Sequence, residues 1–400
     1  MADGFDLDVA RSLPGPDWLA ARRAEAASRL AELAWPSASE EIWRYSPIDR
    51  FDPSRYRPDV TPPPQWGGLD PAITSKGVVV GTLDAVDDAT ARELLGTCAN
   101  ESPDAFTALH DAFLTGGAFV HVPAGVVVED PIVVDHASFG DGRAVFPHTL
   151  VVLDEGAEAT VLERSSSDGE DRLVVPVVEL VVGQAAHLRF LSVQQHGAST
   201  WQIALQRAHV GRDATLRSSA IALGGDYARV RSEALLAGDG ADSDVLAVYF
   251  GDGDQTLDFR TLQDHAAPHT RSNLLFKGAV EDRAHSVYSG LVRIRRHAQR
   301  SDAFQTNRNL VLTEGAGAES IPNLEIEADD VRCSHASAVG PIDEDQLYYL
   351  ETRGVPPADA QRLIVLGFFD DVFDRLAVPA LVEPLRGAVD EKVGRLTTGV

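Results

Sequence analysis

The sequence predicts a mainly β protein whose core is a solenoid of stacked parallel strands, a parallel β-helix over residues 116–340, flanked by α-helical segments at residues 1–115 and 341–400. Three observations carry this expectation. After Gly117 the chain becomes a series of short valine-rich runs broken by Gly and Asp, such as A-F-V-H-V-P-A-G-V-V-V-E-D-P-I-V-V and R-L-V-V-P-V-V-E-L-V-V-G. Within that region a degenerate unit, an apolar run followed by Gly-x-x-small-x-apolar, recurs at Gly156, Gly183, Gly211 and Gly240, which lie 27, 28 and 29 residues apart. Helical patterns almost vanish there and return on both sides. Strand repeats of this length point to coils that stack on one another, each burying a face that it cannot bury alone. A β-sandwich is the alternative, but sandwiches rarely repeat a glycine at nearly constant spacing.

The elements follow in order. Residues 17–34 are alanine-rich, free of glycine and end before Pro36, the pattern of an amphipathic helix. A proline-rich connector spans residues 47–71, and two shorter helices fit residues 84–95 and 103–114, the second stopped by Gly116 and Gly117. In the repeat region the small and apolar positions, Ala159 and Val161, Ala186 and Leu188, Ala214 and Leu216, Ser243 and Val245, are expected to stack coil on coil about 4.8 Å apart. About 220 residues at one coil per 28 or so would make about eight rungs and a stack on the order of 38 Å long.

Beyond Gly340, Asp343 and Gln346 have the spacing of a capping box ahead of a helix over residues 347–353, which Gly354 ends. Pro356 and Pro357 then precede a run over residues 358–376 in which Leu363, Ile364, Val365, Leu366, Phe368, Phe369, Val372, Phe373 and Leu376 cover more than one stripe. Such a helix is buried on several sides. Either it docks on the solenoid end and a last helix at residues 379–396, or it offers a groove to another protein.

Charge and composition bound the function. A net charge of −26 repels phosphate backbones and anionic lipid, so neither nucleic acid nor membrane is an expected partner. Arg293, Arg295 and Arg296 alternate with apolar residues and read as an exposed strand face rather than an anion site. Two cysteines, Cys98 and Cys333, build no disulfide framework, the N-terminus lacks the pattern of a secretory signal, and no apolar run approaches the roughly 20 residues of a membrane span. The expectation is a soluble, cytoplasmic protein.

The common catalytic motifs are missing. No G-x-x-x-x-G-K-[ST] is present, so no ATP site of the P-loop kind is expected, and G-x-S-x-G, H-E-x-x-H and C-x-x-C are absent as well. Two clusters remain. His265 and His269 are four residues apart, a spacing that suits a metal, although Pro268 interrupts regular structure between them and two histidines in a loop are more often hydrogen-bonded structure. Cys333 and His335 share one face of a strand, their attachment points roughly 6.6 Å apart. That is a soft donor pair short of the roughly four donors that zinc or an iron-sulfur cluster takes, so a metal there needs donors from elsewhere. Asp329 and Asp330 would raise the thiol pKa and Arg332 would lower it; a buried structural cysteine is the other reading.

Several stretches carry a resemblance. D-H-A-A-P-H-T-R-S-N-L-L-F-K-G, V-Y-S-G-L-V-R-I, Q-R-S-D-A-F-Q-T-N-R-N-L-V-L, I-P-N-L-E-I-E-A-D-D-V-R-C-S-H and Y-Y-L-E-T-R-G-V, together with Trp43-Arg44-Tyr45, resemble the SufB/SufD family of iron-sulfur cluster assembly proteins over about residues 103–376. Ala336 after C-S-H and the scarcity of cysteine make the chain more similar to the SufD branch than to the SufB branch. The resemblance implies a right-handed parallel β-helix with helical subdomains at both ends, working as a non-catalytic scaffold beside a SufB-like paralogue and a SufC-like ABC-type ATPase. It implies that His335, with Cys333, lies at the paralogue interface and helps acquire iron or hold a transient iron-sulfur cluster. The C-terminal helix, with Leu363, Phe368, Phe369 and Phe373, then corresponds to the ATPase docking platform. A SufB-like or homodimeric scaffold is the alternative within the class, and a carbohydrate-active β-helix enzyme the alternative outside it.

Overall fold

The computed structural model describes residues 4–68, 72–86, 89–98, 104–376 and 378–394. Each coil of the chain sends one strand to each of two long sheets. The first sheet stacks Gly117–Val122, His148–Leu153, Val177–Val182, Thr200–Val210, Tyr227–Leu236, Thr256–His265, His285–Ile294 and Gly317–Ile326. The second stacks Ile132–Ser138, Glu158–Ser167, His187–Gln195, Thr215–Ala222, Asp242–Gly251, Arg271–Val280, Asp302–Val311 and Arg332–Gly340. Neighbours in both stacks are parallel, so the architecture is a solenoid of about eight coils and not a sandwich of hairpins.

The repeat is real, but its register differs from the glycine spacing. Ala159, Leu188, Leu216 and Ser243 are the residues that pair across neighbouring strands, at separations of 29, 28 and 27 residues. All four are buried, as are Ala157, Ala186, Ala214 and Ala241 two positions earlier. The reason lies in the turns. Each coil needs one residue in the left-handed region, and that place is filled by Gly156 (φ 66°), Ala185 (54°), Asp213 (53°), Gly240 (74°), His269 (57°) and Arg300 (61°). Gly183 and Gly211 serve another purpose: a Cβ there would come within 2.7 Å of the Leu153 carbonyl oxygen and 2.9 Å of that of Val182. The four glycines therefore belong to two turn positions two residues apart. Because the offset is even, the buried face is unchanged.

The two ends of the solenoid differ. At the start, the short strands Gln65–Gly67 and Val79–Thr82 pair antiparallel with Ile132–Ser138 and Gly117–Val122 and cap the two parallel stacks with edges of only three and four residues. At the finish, Gly317–Ile326 and Arg332–Gly340 are the last strands of their sheets, and the outer backbone edge of each is unpaired among the described residues.

The N-terminal region covers the outer face of the first sheet. Helices Leu7–Ser12, Asp17–Leu30 and Ala105–Phe113 bring Phe5, Phe106 and Phe113 against Phe146, Trp201 and Tyr227, and Trp43 joins the same cluster. The predicted 17–34 helix ends at Leu30, and of the predicted 84–95 helix only Ala89–Leu94 forms; its residues 87–88 and the first residue of the 103–114 helix lie outside the described residues. The proline-rich connector is not bare: Arg57–Pro58 pairs in parallel with Arg143–Val145, and Gln65–Gly67 supplies the cap.

The C-terminal helices cover the outer face of the second sheet. After Glu344–Thr352, capped by Asp343 accepting from the Asp345 and Gln346 amides, the helix Pro357–Phe373 buries Val365, Phe369, Val372 and Phe373 against Leu191, Val193, Leu246, Val248, Phe250 and Leu275. Helix Val382–Gly394 adds Leu385, Val389 and Val393 to that layer; the end of the predicted 379–396 helix lies outside the described residues. Lys277 fastens the helix Pro357–Phe373, donating to the Phe368 carbonyl at 2.8 Å and pairing with Asp371 at 3.0 Å. The expected docking on the solenoid end is thus corrected to docking along its flank. As a result Phe369 and Phe373 are consumed inside the chain and are not surface residues for a partner, Phe368 is half-buried, and Leu363 alone of the four is exposed, at 53%.

Candidate functional site

The last coil carries the Cys333 and His335 pair. Strand alternation turns Cys333, His335 and Ser337 toward the solenoid interior, in register above Ala303, Gln305 and Asn307 of the preceding strand. One coil earlier this row is sealed, with Ala303, Gln305, Asn307 and Asn309 all buried. In the last coil nothing lies above it among the described residues, and His335 is exposed and Cys333 half-buried. Across the opening stands the inward row of Gly317–Ile326, and Ser337 donates to Ser320 at 2.7 Å between the two strands. Ile326 and Val339 are left 44% and 45% exposed at this end.

Cys333 packs on Val292, Ile294, Ala298, Ala303 and Ala328, with Leu324 beside it. That burial pushes its thiol pKa up, and the Asp302 carboxylate adds to the effect. The acid that acts is therefore Asp302, across the ladder, rather than the expected Asp329 and Asp330. A thiol held in its neutral form is a poor nucleophile but gains a ligand's charge once a cation displaces the proton.

Beneath the pair lies a polar bed. Tyr249 donates to Asn309 Oδ1 at 2.7 Å, Asn309 donates to Asn307 Oδ1 at 2.8 Å, and Asn307 donates to Tyr249 Oη at 2.9 Å. This closed ring ties the strand Asp302–Val311, which lies under the last one, to the strand Asp242–Gly251 two places below it. No group of three His, Cys, Asp or Glu side chains able to hold a metal forms among the described residues. Two inward donors at an open end can start a metal site but not complete one.

A model of the SufBD core domain of the SUF system for iron-sulfur cluster assembly matches residues 136–368, more than half of the chain, and a model of the SufBD N-terminal region matches residues 69–134. The chain belongs to the SufBD family. It is 34% identical over 366 residues to an iron-sulfur cluster assembly SufBD family protein of Mycobacterium tuberculosis, covering 90% of this chain and 89% of that one. A SufBD family protein of Mycobacterium leprae is 33% identical over 374 residues, covering 90% of each chain. The iron-sulfur cluster assembly protein SufD of Bacillus subtilis is 32% identical over 292 residues, 72% of this chain and 66% of that one. The SufBD core match takes in the open coil with both Cys333 and His335.

The other histidine cluster of this SufBD chain does not assemble. His265 is fully buried, and its ring nitrogens are taken up by Thr270 Oγ1 and Ser272 Oγ, each at 2.8 Å. Burial lowers its pKa to about 4, so it is a neutral structural residue. His269 is the exposed left-handed turn residue that follows. The metal reading of this pair gives way to a hydrogen-bonded one. Arg293 and Arg295 pair with Glu325 at 3.0 Å and Asp264 at 2.7 Å, as an exposed strand face does. Sequence reasoning passed over Gln305, Asn307 and Asn309. The signal was there: after Ala303 they occupy every second position, so four residues of one inward face include three amides where apolar side chains are the rule.

Proposed function

We propose that this chain is a SufD-type scaffold subunit whose open coil abuts a SufB-like solenoid and shares iron or a nascent cluster with it through His335 and Cys333. One observation carries the reading: the pair of inward-facing thiol and imidazole donors in the last coil coincides with the end whose two long parallel edges, Gly317–Ile326 and Arg332–Gly340, are free among the described residues. Free edges bind by continuing the sheet, and a homologous solenoid offers matching ones. The same neighbour supplies the donors that two residues lack. In this reading the chain has no turnover of its own. A SufC-like ATPase docks on the exposed side of the C-terminal helices around Leu363, on the flank of the second sheet, and its movements reach the open end through that sheet.

The test is to co-express the chain with a SufB-like protein and the ATPase, purify under anaerobic conditions and record visible absorption, iron and acid-labile sulfide. A cluster chromophore is expected in the complex, none in the chain alone, and a large loss with His335→Ala in an intact complex. A His335→Ala complex that assembles clusters at the normal rate would overturn the site. Polysaccharide cleavage by the isolated chain would overturn the class.

A further inference from the structure

We infer that Gln305 is the positioning residue for His335, fixing the imidazole tautomer that leaves Nε2 free for iron. This rests on the reading of His335 given above. Gln305 is 1% exposed, yet neither its Oε1 nor its Nε2 has a hydrogen-bond partner. A buried primary amide left unpaired is costly and rare. Its neighbours on the same inward row are bonded: Asn307 and Asn309 are satisfied by Tyr249 and by each other. Below Gln305 in the ladder stands Leu274, which has nothing to offer, and above it stands His335. Across the bore, the amide occupies the space left by Gly290, where a Cβ would lie 2.6 Å from Nε2. The amide is therefore held in place beside the Tyr288 hydroxyl, which is already bonded to Thr261 at 3.1 Å, and the polar side chain stacked on it in the ladder is His335. When a partner covers the end, Nδ1–H of His335 donates to Gln305 Oε1, which fixes the ring and raises the basicity of Nε2, as partners of metal-bound histidines do.

The experiment measures ferrous iron retained by the purified complex against a chelator series for the parent, Gln305→Leu, Gln305→Glu, His335→Ala and the double variant H335A/Q305L. Gln305→Leu should lower retention about tenfold or more, whereas Gln305→Glu, which keeps an acceptor, should stay within about threefold. In the His335→Ala background Gln305→Leu should change nothing further. The melting temperature of Gln305→Leu should be unchanged or higher, since an unpaired amide has been removed, so lost iron is not lost fold. If His335→Ala loses iron and Gln305→Leu does not, this inference fails and the interface reading stands. If His335→Ala itself retains iron, the interface reading fails and takes this inference with it.

Discussion

The Arg229 guanidinium donates to the Asp258 carboxylate across 2.7 Å with both side chains closed off from solvent. Arg260 and Tyr227 bond the same carboxylate at 2.7 and 2.8 Å, and Trp43 lies over the Arg229 guanidinium with its ring centre 3.8 Å away. Arg229 and Arg260 also hold the carbonyls of Ile42 and Arg44. The Trp43-Arg44-Tyr45 segment is thereby fastened to the first sheet through two guanidinium groups that share the Asp258 carboxylate. Asp258→Ala leaves two buried guanidinium groups uncompensated and should cost about 3–5 kcal/mol in denaturant unfolding. Limited proteolysis should then cut near Trp43 first. An unchanged unfolding midpoint would show that the network does not hold the region.

Phe373 and Leu363 separate packing from docking on one helix. Phe373→Ala opens a cavity against the second sheet and should cost about 3–5 kcal/mol. Leu363→Glu should move stability by no more than about 0.5 kcal/mol while weakening capture of the ATPase. Calorimetry and a pull-down of the separately folded variants check the pair, and equal ATPase capture by Leu363→Glu would place the contact elsewhere.

His265→Ala removes a buried ring bonded on both sides and should destabilise by about 1–3 kcal/mol with iron retention of the assembled complex unaltered. Loss of iron at full stability would restore the metal reading of this histidine.

Glu281 offers a test by pH. Burial, with Asp282 and Asp252 nearby, raises its pKa to about 8 against the opposing pull of Lys392, and its Oε2 is buried without a partner. The folded chain thus holds a proton that the unfolded chain releases above its ordinary carboxylate value of 4.5. Stability from this group is lost as pH rises from there through about 8. His265, His136 and His196, lowered to about 4 by burial, act in the other direction and remove stability as pH falls below their ordinary 6.5. Glu281→Gln should therefore raise the melting temperature at roughly pH 8.5 and leave it nearly unchanged at roughly pH 5. An equal shift at both pH values would mean that the carboxyl is ionised in the folded chain.

The coils were legible because parallel stacking forces the same buried face on every turn, and valine-rich runs record it. Their register was not, since Gly156 and Gly183 look alike in sequence while one supplies a left-handed turn and the other a close approach to the Leu153 carbonyl. The helix over Pro357–Phe373 was visible from its apolar breadth, but the surface it covers is set by Leu191, Val193, Leu246 and Val248, outward residues distributed over several coils. Cys333 and His335 stood out by residue type. Gln305 did not, because its meaning comes from Leu274 and His335, which are neighbours only after the chain has wound once in each direction.

The unlike ends set a limit on assembly. One end is capped by the short antiparallel strands Gln65–Gly67 and Val79–Thr82, of three and four residues, while the other presents the ten- and nine-residue strands Gly317–Ile326 and Arg332–Gly340, so the long edges available for sheet pairing lie at one end among the described residues. Two subunits joined by their long edges would turn their short-stranded caps outward, and edges that short give a head-to-tail fibre little to continue from.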